Sequence, residues 1–196
     1  MAGCCSGHCT TADAPVDPQF RAALWVALWV NTLMFGVEMI AGLSAGSVSL
    51  LADAVVFAGD AANFALSLSV LSLGLLWRAR AALIKGVTMA VYGVLVLGKT
   101  GWAAAFGVPP EAYTMGAIGA LALFANLGVA VILYRFRDGD ANMRSVWLCS
   151  RNDAIVNLAI ILAAVGVLGS GTRWPDLIVA AVVCSLALVS ARTVIR

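Results

Sequence analysis

Residues 50–76 read LLADAVVFAGDAANFALSLSVLSLGLL. The run is continuously apolar rather than alternating, so it predicts a helix and not a barrel strand. It is also long enough to cross a hydrocarbon layer of about 30 Å, which takes roughly 20 residues. A surface helix of a soluble protein would carry a broad charged face. This run carries only two ionisable groups, Asp53 and Asp60. Seven residues apart, they fall on one helix face about two turns from each other.

The rest of the chain has the same character. Of its 196 residues 62% are apolar and 11% charged, with a mean hydropathy of +0.98. Soluble domains run at about 45–50% and about 25%, and a domain of this size needs a charged surface. Six spans of roughly 20 residues would use about 120, which leaves room for loops and one tail. The expected fold class is therefore an all-α polytopic membrane protein with six transmembrane helices. Residues 1–20 are expected to form a flexible Cys/His-containing tail, and residues 21–196 a six-helix transmembrane domain. The tail has neither a cationic start nor an apolar run, so it does not read as a signal peptide. A net charge of +2 is too mild to suggest nucleic acid as a partner.

Working outward from residues 50–76, the first block runs from after Arg21 to about Gly42, and an uncharged AGSVS turn joins the two. WRARAALIK reads as a basic loop before a third block that ends near Phe106. GVPPEAYT stops that block. A fourth block starts near Thr114, a fifth runs from about Ser145 to Leu168, and a sixth from about Leu177 to Val194. Arg21, Arg78, Arg80, Lys85, Arg135, Arg137, Arg144, Arg192 and Arg196 lie at one set of span ends, and only Lys99 and Arg173 at the other. Nine against two predicts that both termini are cytoplasmic. Gly36, Gly42, Gly93, Gly116, Gly119 and Gly128 are expected at close helix contacts. The tryptophans are expected to be interfacial anchors, and Cys184 a core residue.

Ionisable groups at bilayer depth cost about 2.5–3.5 kcal/mol each on insertion scales, so each marks a candidate site. Glu38, Asp53, Asp60, Arg151 and Asp153 qualify. Cys149 and Asp153 share a face at i, i+4, whereas Arg151 points elsewhere and can snorkel to the interface. Two carboxylates meeting across a helix pair repel unless a proton or a cation joins them. Asp60, Cys149 and Asp153 offer up to three negative ligands, and oxygen with sulfur suits zinc or cadmium. The competing reading of these carboxylates is hydrogen bonding between helices, to Asn31, Asn63, Asn126 or Asn157, or pairing with Arg151.

Asn31, Glu38, Gly42 and Gly46-Ser47, leading into SLLADAVVFAGD, resemble the first two spans of the cation diffusion facilitator (cation efflux) family. CSRND in the fifth span is similar to that family's second ligand pair, normally His or Asp followed four residues later by Asp. The resemblance covers about residues 21–196 and implies export of divalent metals in exchange for protons. By position, Asp60 and Asp153 match the two transport-site aspartates, and Asp53 matches an acidic position common in the second span. Val56 stands where the family has His or Asp, and Cys149 where it has His. Valine cannot bind metal, so Asp53, water or Asn63 is expected to complete the shell. The family usually carries a cytoplasmic metal-sensing and dimerising domain after the sixth span. This sequence stops at Arg196 and resembles a short form without it, so a homodimer is expected through membrane helices.

In the tail, Cys4, Cys5, His8 and Cys9 are of the types zinc uses, and suggest a flexible metal trap. The functional expectation is an antiporter with metal ion and protons as substrates, the lipid bilayer as partner and no resident cofactor. The Ala-rich composition suggests a bacterial inner membrane. Two other classes are an intramembrane aspartyl enzyme and a non-transporting metal sensor. Against the enzyme, Phe57-Ala58-Gly59-Asp60 lacks the Gly-x-Gly-Asp pattern of intramembrane aspartyl proteases.

Overall fold

A computed structural model describes residues 18–69, 75–138 and 141–195. These form six α-helices and no strand: α1 (Pro18–Ala45), α2 (Val48–Ser69), α3 (Leu75–Phe106), α4 (Ala112–Tyr134), α5 (Ala141–Ser170) and α6 (Trp174–Ile195). α1, α2, α4 and residues 146–170 of α5 are long and apolar enough to cross a membrane. α3 and α6 contribute shorter apolar stretches, Ala90–Phe106 and Trp174–Val189.

Two helix starts differ from the sequence reading. α1 opens at Pro18, where a proline is tolerated because the first turn has no partner for its missing N–H. Phe20, placed in the tail by sequence, is buried edge-on against Phe136 with ring centroids 5.2 Å apart. The basic stretch expected as a loop lies instead in the first turns of α3. Its alanines, arginines and leucines are strong helix formers, and no glycine or proline interrupts them before Gly86.

α2 is the central helix and packs against each of the other five. α1, α4 and α5 gather on one side, and the α3–α6 pair closes the other through Val48, Leu51, Val55, Val96, Ala180 and Val183. The bundle hides its polar groups. α1 buries Asn31 and Glu38 along with Leu24, Ala27 and Met34, while Trp29, Leu33, Ile40 and Leu43 are exposed on the opposite face. An exposed apolar face around a polar interior fits a lipid solvent. Cys184 is buried in the core, as its sequence setting suggests.

Shared clusters fix how the helices run past one another. Gly42 meets Leu51, Met34 joins Phe57, and Ala27 joins Phe64, so α1 and α2 are antiparallel. Leu50 clusters with Ile160, and Phe64 with Val146, so α2 and α5 are antiparallel too. A Cβ on Gly42 would lie 2.9 Å from Cγ of Leu51 and 3.1 Å from its backbone nitrogen. Gly42→Val is therefore expected to push the two helices apart and cost about 1–3 kcal/mol, by analogy with overpacked cores. A thermal unfolding midpoint equal to wild type would contradict the close approach. Gly36 and Gly128, also expected at helix contacts, meet nothing within 4 Å, so their small size serves no packing between helices here.

Three connections are tied together at one end of the bundle. Gly46, at φ +68°, turns the chain between α1 and α2 in a conformation few other residues adopt. The Asp176 carboxylate, buried in the first turn of α6, takes the N–H of Val48 at 2.9 Å, the N–H of Ser49 at 3.0 Å and the Ser47 hydroxyl at 2.7 Å. It thus caps α2 from another helix, and its charge sits at two helix N-termini. Arg173 donates to the carbonyls of Ala104, at 2.9 Å, and Gly107, closing the C-terminal end of α3. Glu111 caps α4 through Thr114 and Tyr113 and donates its own N–H to Ala45. The Thr114 contacts, then the Tyr113 N–H, hold the Glu111 carboxyl below the ordinary glutamate range. That cap is thus present above the usual glutamate pKa and is lost only as pH falls through the lowered value.

Candidate functional site

Asp53 faces the interior because α2 presents it toward α5, and it is 0% exposed. Asn157 on α5 donates from Nδ2 to Oδ2 of Asp53. Asn126 on α4 donates from Nδ2 to Oδ1 of Asn157 at 2.8 Å. A three-helix polar chain results, so of the partners open at the sequence level, Asp53 uses Asn157. On its other side, level with it by the α1–α2 register, lies Glu38, also 0% exposed. Two acids from neighbouring helices thus meet in the centre of the bundle. Side by side in low dielectric, such acids require a proton or a cation between them.

Asp60 lies two turns farther along the same face of α2, 8% exposed, and close enough for its charge to act on Asp53. The antiparallel register that joins Asp53 to Asn157 and Phe64 to Val146 sets Asp60 level with the turn of α5 that holds Cys149 and Asp153. Both of those residues are half-buried. By the α1–α2 register, Asn31 lies level with Asp60 from the other side. The interior therefore has two polar levels. One is Glu38, Asp53, Asn157 and Asn126; the other is Asp60 with Cys149 and Asp153, flanked by Asn31.

Among the described residues, no three or more His, Cys, Asp or Glu side chains are drawn tightly together as a clasp for a metal ion. Asp53 is engaged by Asn157, one level away from Cys149 and Asp153. Val56 packs toward the α3–α6 cluster. Arg151 is exposed on α5, donates to Asn152 at 3.2 Å and lies 5.3 Å from the Trp147 ring centroid, away from the acids. Cys4, Cys5, His8 and Cys9 lie outside the described residues.

Sequence reasoning weighed Glu38 as an acid at depth but did not pair it with Asp53. The antiparallel spacing around the Gly46 turn carried that signal, because residues about equally far from a tight helical hairpin face each other. The Asp176 cap was missed altogether. In comparisons with known proteins, no family model matches the chain, and no curated protein sequence matches it.

Proposed function

We propose that this chain is a six-span secondary transporter that exports a divalent transition-metal ion, zinc or cadmium, from the cytoplasm in exchange for protons. Both termini face the cytoplasm, and its site is a bacterial inner membrane. The observation that carries this reading is the acidic face of α2, buried within a bundle whose outer surface is apolar, on a helix packed against the α5 helix that carries Cys149 and Asp153. The likeness of LLADAVVFAGD and CSRND to cation diffusion facilitators supports it further.

The chemistry follows from the ligand types. Asp60 and Asp153 supply hard oxygens and Cys149 a soft sulfur, a mixture that favours zinc or cadmium over magnesium or calcium. Metal binding requires these groups to lose protons, and protonation releases the metal. An empty, fully ionised site is penalised by its own repulsion, so metal and protons alternate. With no histidine in the spans, carboxylates and thiol carry the exchanged protons.

Purified protein in liposomes with an entrapped pH dye tests the reading: a zinc gradient should drive proton movement in the opposite direction. Metal binding without flux would instead make the chain a sensor or accessory subunit. Cys149→Ser should weaken zinc and cadmium by about tenfold or more, which is about 1.4 kcal/mol, and weaken manganese far less. Equal effects on all three ions would remove sulfur from the site.

A further inference from the structure

The buried level around Asp53 is rich in oxygens and poor in donors. Neither carboxylate oxygen of Glu38 receives an N–H or O–H from the described residues, and the same is true of Oδ1 of Asp53 and Oδ1 of Asn126. The amides cannot flip to repair this. Asn157 turns its Nδ2 to Asp53, so its Oδ1 takes Nδ2 of Asn126, and the Asn126 carbonyl is left over. Buried acceptors without donors are costly, and buried carboxylates more so.

Among the described residues, no side chain donates to them. α4 has no ionisable group between Tyr113 and Tyr134, Arg151 of α5 is exposed beside Trp147, and Asp176 of α6 is engaged at the α2 cap. Around the pair α2 carries Asp60 and α5 carries Asp153, both acids, while α3, packed on the Val48–Val55 side of α2, carries Lys99. What this level lacks is positive charge, presented to oxygens on α1, α2 and α4.

We propose that Glu38 and Asp53 form a second cation site, separate from Asp60, Cys149 and Asp153, that holds a small monovalent cation, a proton or a sodium ion, by oxygen alone. A divalent ion fits poorly. Two carboxyls and one amide are too few ligands to replace its hydration shell, and the level is sealed from water. The site's role as the seat of the coupling ion rests on the transport reading, whereas its occupancy does not.

The test uses the full chain in lipid nanodiscs at neutral pH. Infrared spectra in sodium-free choline buffer read the C=O stretch of a protonated, buried carboxyl. Thermal unfolding with sodium replacing choline at fixed ionic strength reads sodium. If the ion is a proton, wild type shows the carboxyl band, sodium moves nothing, and Glu38→Gln and Asp53→Asn each lose the band. If the ion is sodium, the unfolding midpoint rises with sodium in wild type and not in Glu38→Gln. Should the variants fail to fold, carbon-13 labelling of glutamate in wild type assigns the Glu38 part of the band. Glu38 and Glu111 are the only glutamates, and Glu111 is exposed with a lowered pKa. Asp60→Asn and Cys149→Ser should keep whichever signal wild type shows, even if neither they nor wild type transports, which separates failure of this site from failure of the transport reading. The proposal is overturned by the absence of both signals, or by loss of zinc stabilisation in Glu38→Gln equal to that in Cys149→Ser.

Discussion

Replacing Asp60 or Asp153 by asparagine is expected to reduce metal-driven proton exchange in liposomes to the level of protein-free vesicles. The substitution keeps shape and hydrogen-bonding capacity but removes one negative charge from a site that has at most three. A divalent ion leaving water for the interior has to be balanced by ligand charge, and the several kcal/mol of desolvation per ion are not recovered by a neutral amide. Both variants should fail, because Asp60→Asn leaves α2 without a charged ligand and Asp153→Asn leaves α5 only the Cys149 sulfur. Wild-type unfolding midpoints in metal-free buffer would show that the loss lies in transport and not in folding. Retained flux in both variants would exclude these aspartates as the transport ligands.

The second large effect concerns stability. Asp176→Ala should lower the stability of the fold by about 3 kcal/mol or more, since hydrogen bonds to a charged group are worth about 1.5–3 kcal/mol each and their losses do not simply add. The hydroxyl of Ser49, at 2.5 Å from Oδ1, and that of Ser47 can turn to other acceptors. The N–H groups of Val48 and Ser49 cannot, because they are fixed in the first turn of α2. Asp176→Asn keeps one acceptor oxygen and should fall between wild type and alanine. A thermal midpoint of Asp176→Ala equal to wild type would contradict the cap. The same cap ties the α1–α2 turn to α6, so its loss should also loosen the register that places Glu38 opposite Asp53.

Much of this architecture is legible in the residues themselves. The helical blocks are visible because lipid-type runs such as residues 114–134 carry no charge and no proline, and the proline pair of GVPPEAYT ends one of them cleanly. The start of α3 is not visible in the same way. Arg78, Arg80 and Lys85 suggest a loop by charge, whereas backbone propensity continues the helix through them. Inside the bundle, four asparagines were open as partners for the acids. The choice of Asn157 depends on the register of α2 against α5, which is set by Leu50 with Ile160 and Phe64 with Val146, contacts that no local pattern encodes. Asp176 is the extreme case: it caps residues more than a hundred positions away in the chain.

The central claim is that one doubly charged ion is held between α2 and α5. Anomalous scattering from crystals soaked in zinc or cadmium tests it most directly. The account predicts a peak about 2.0–2.2 Å from carboxylate oxygens of Asp60 and Asp153 and, for zinc, about 2.3 Å from the sulfur of Cys149. A peak at Glu38 and Asp53 instead, or none between the two helices, would contradict it.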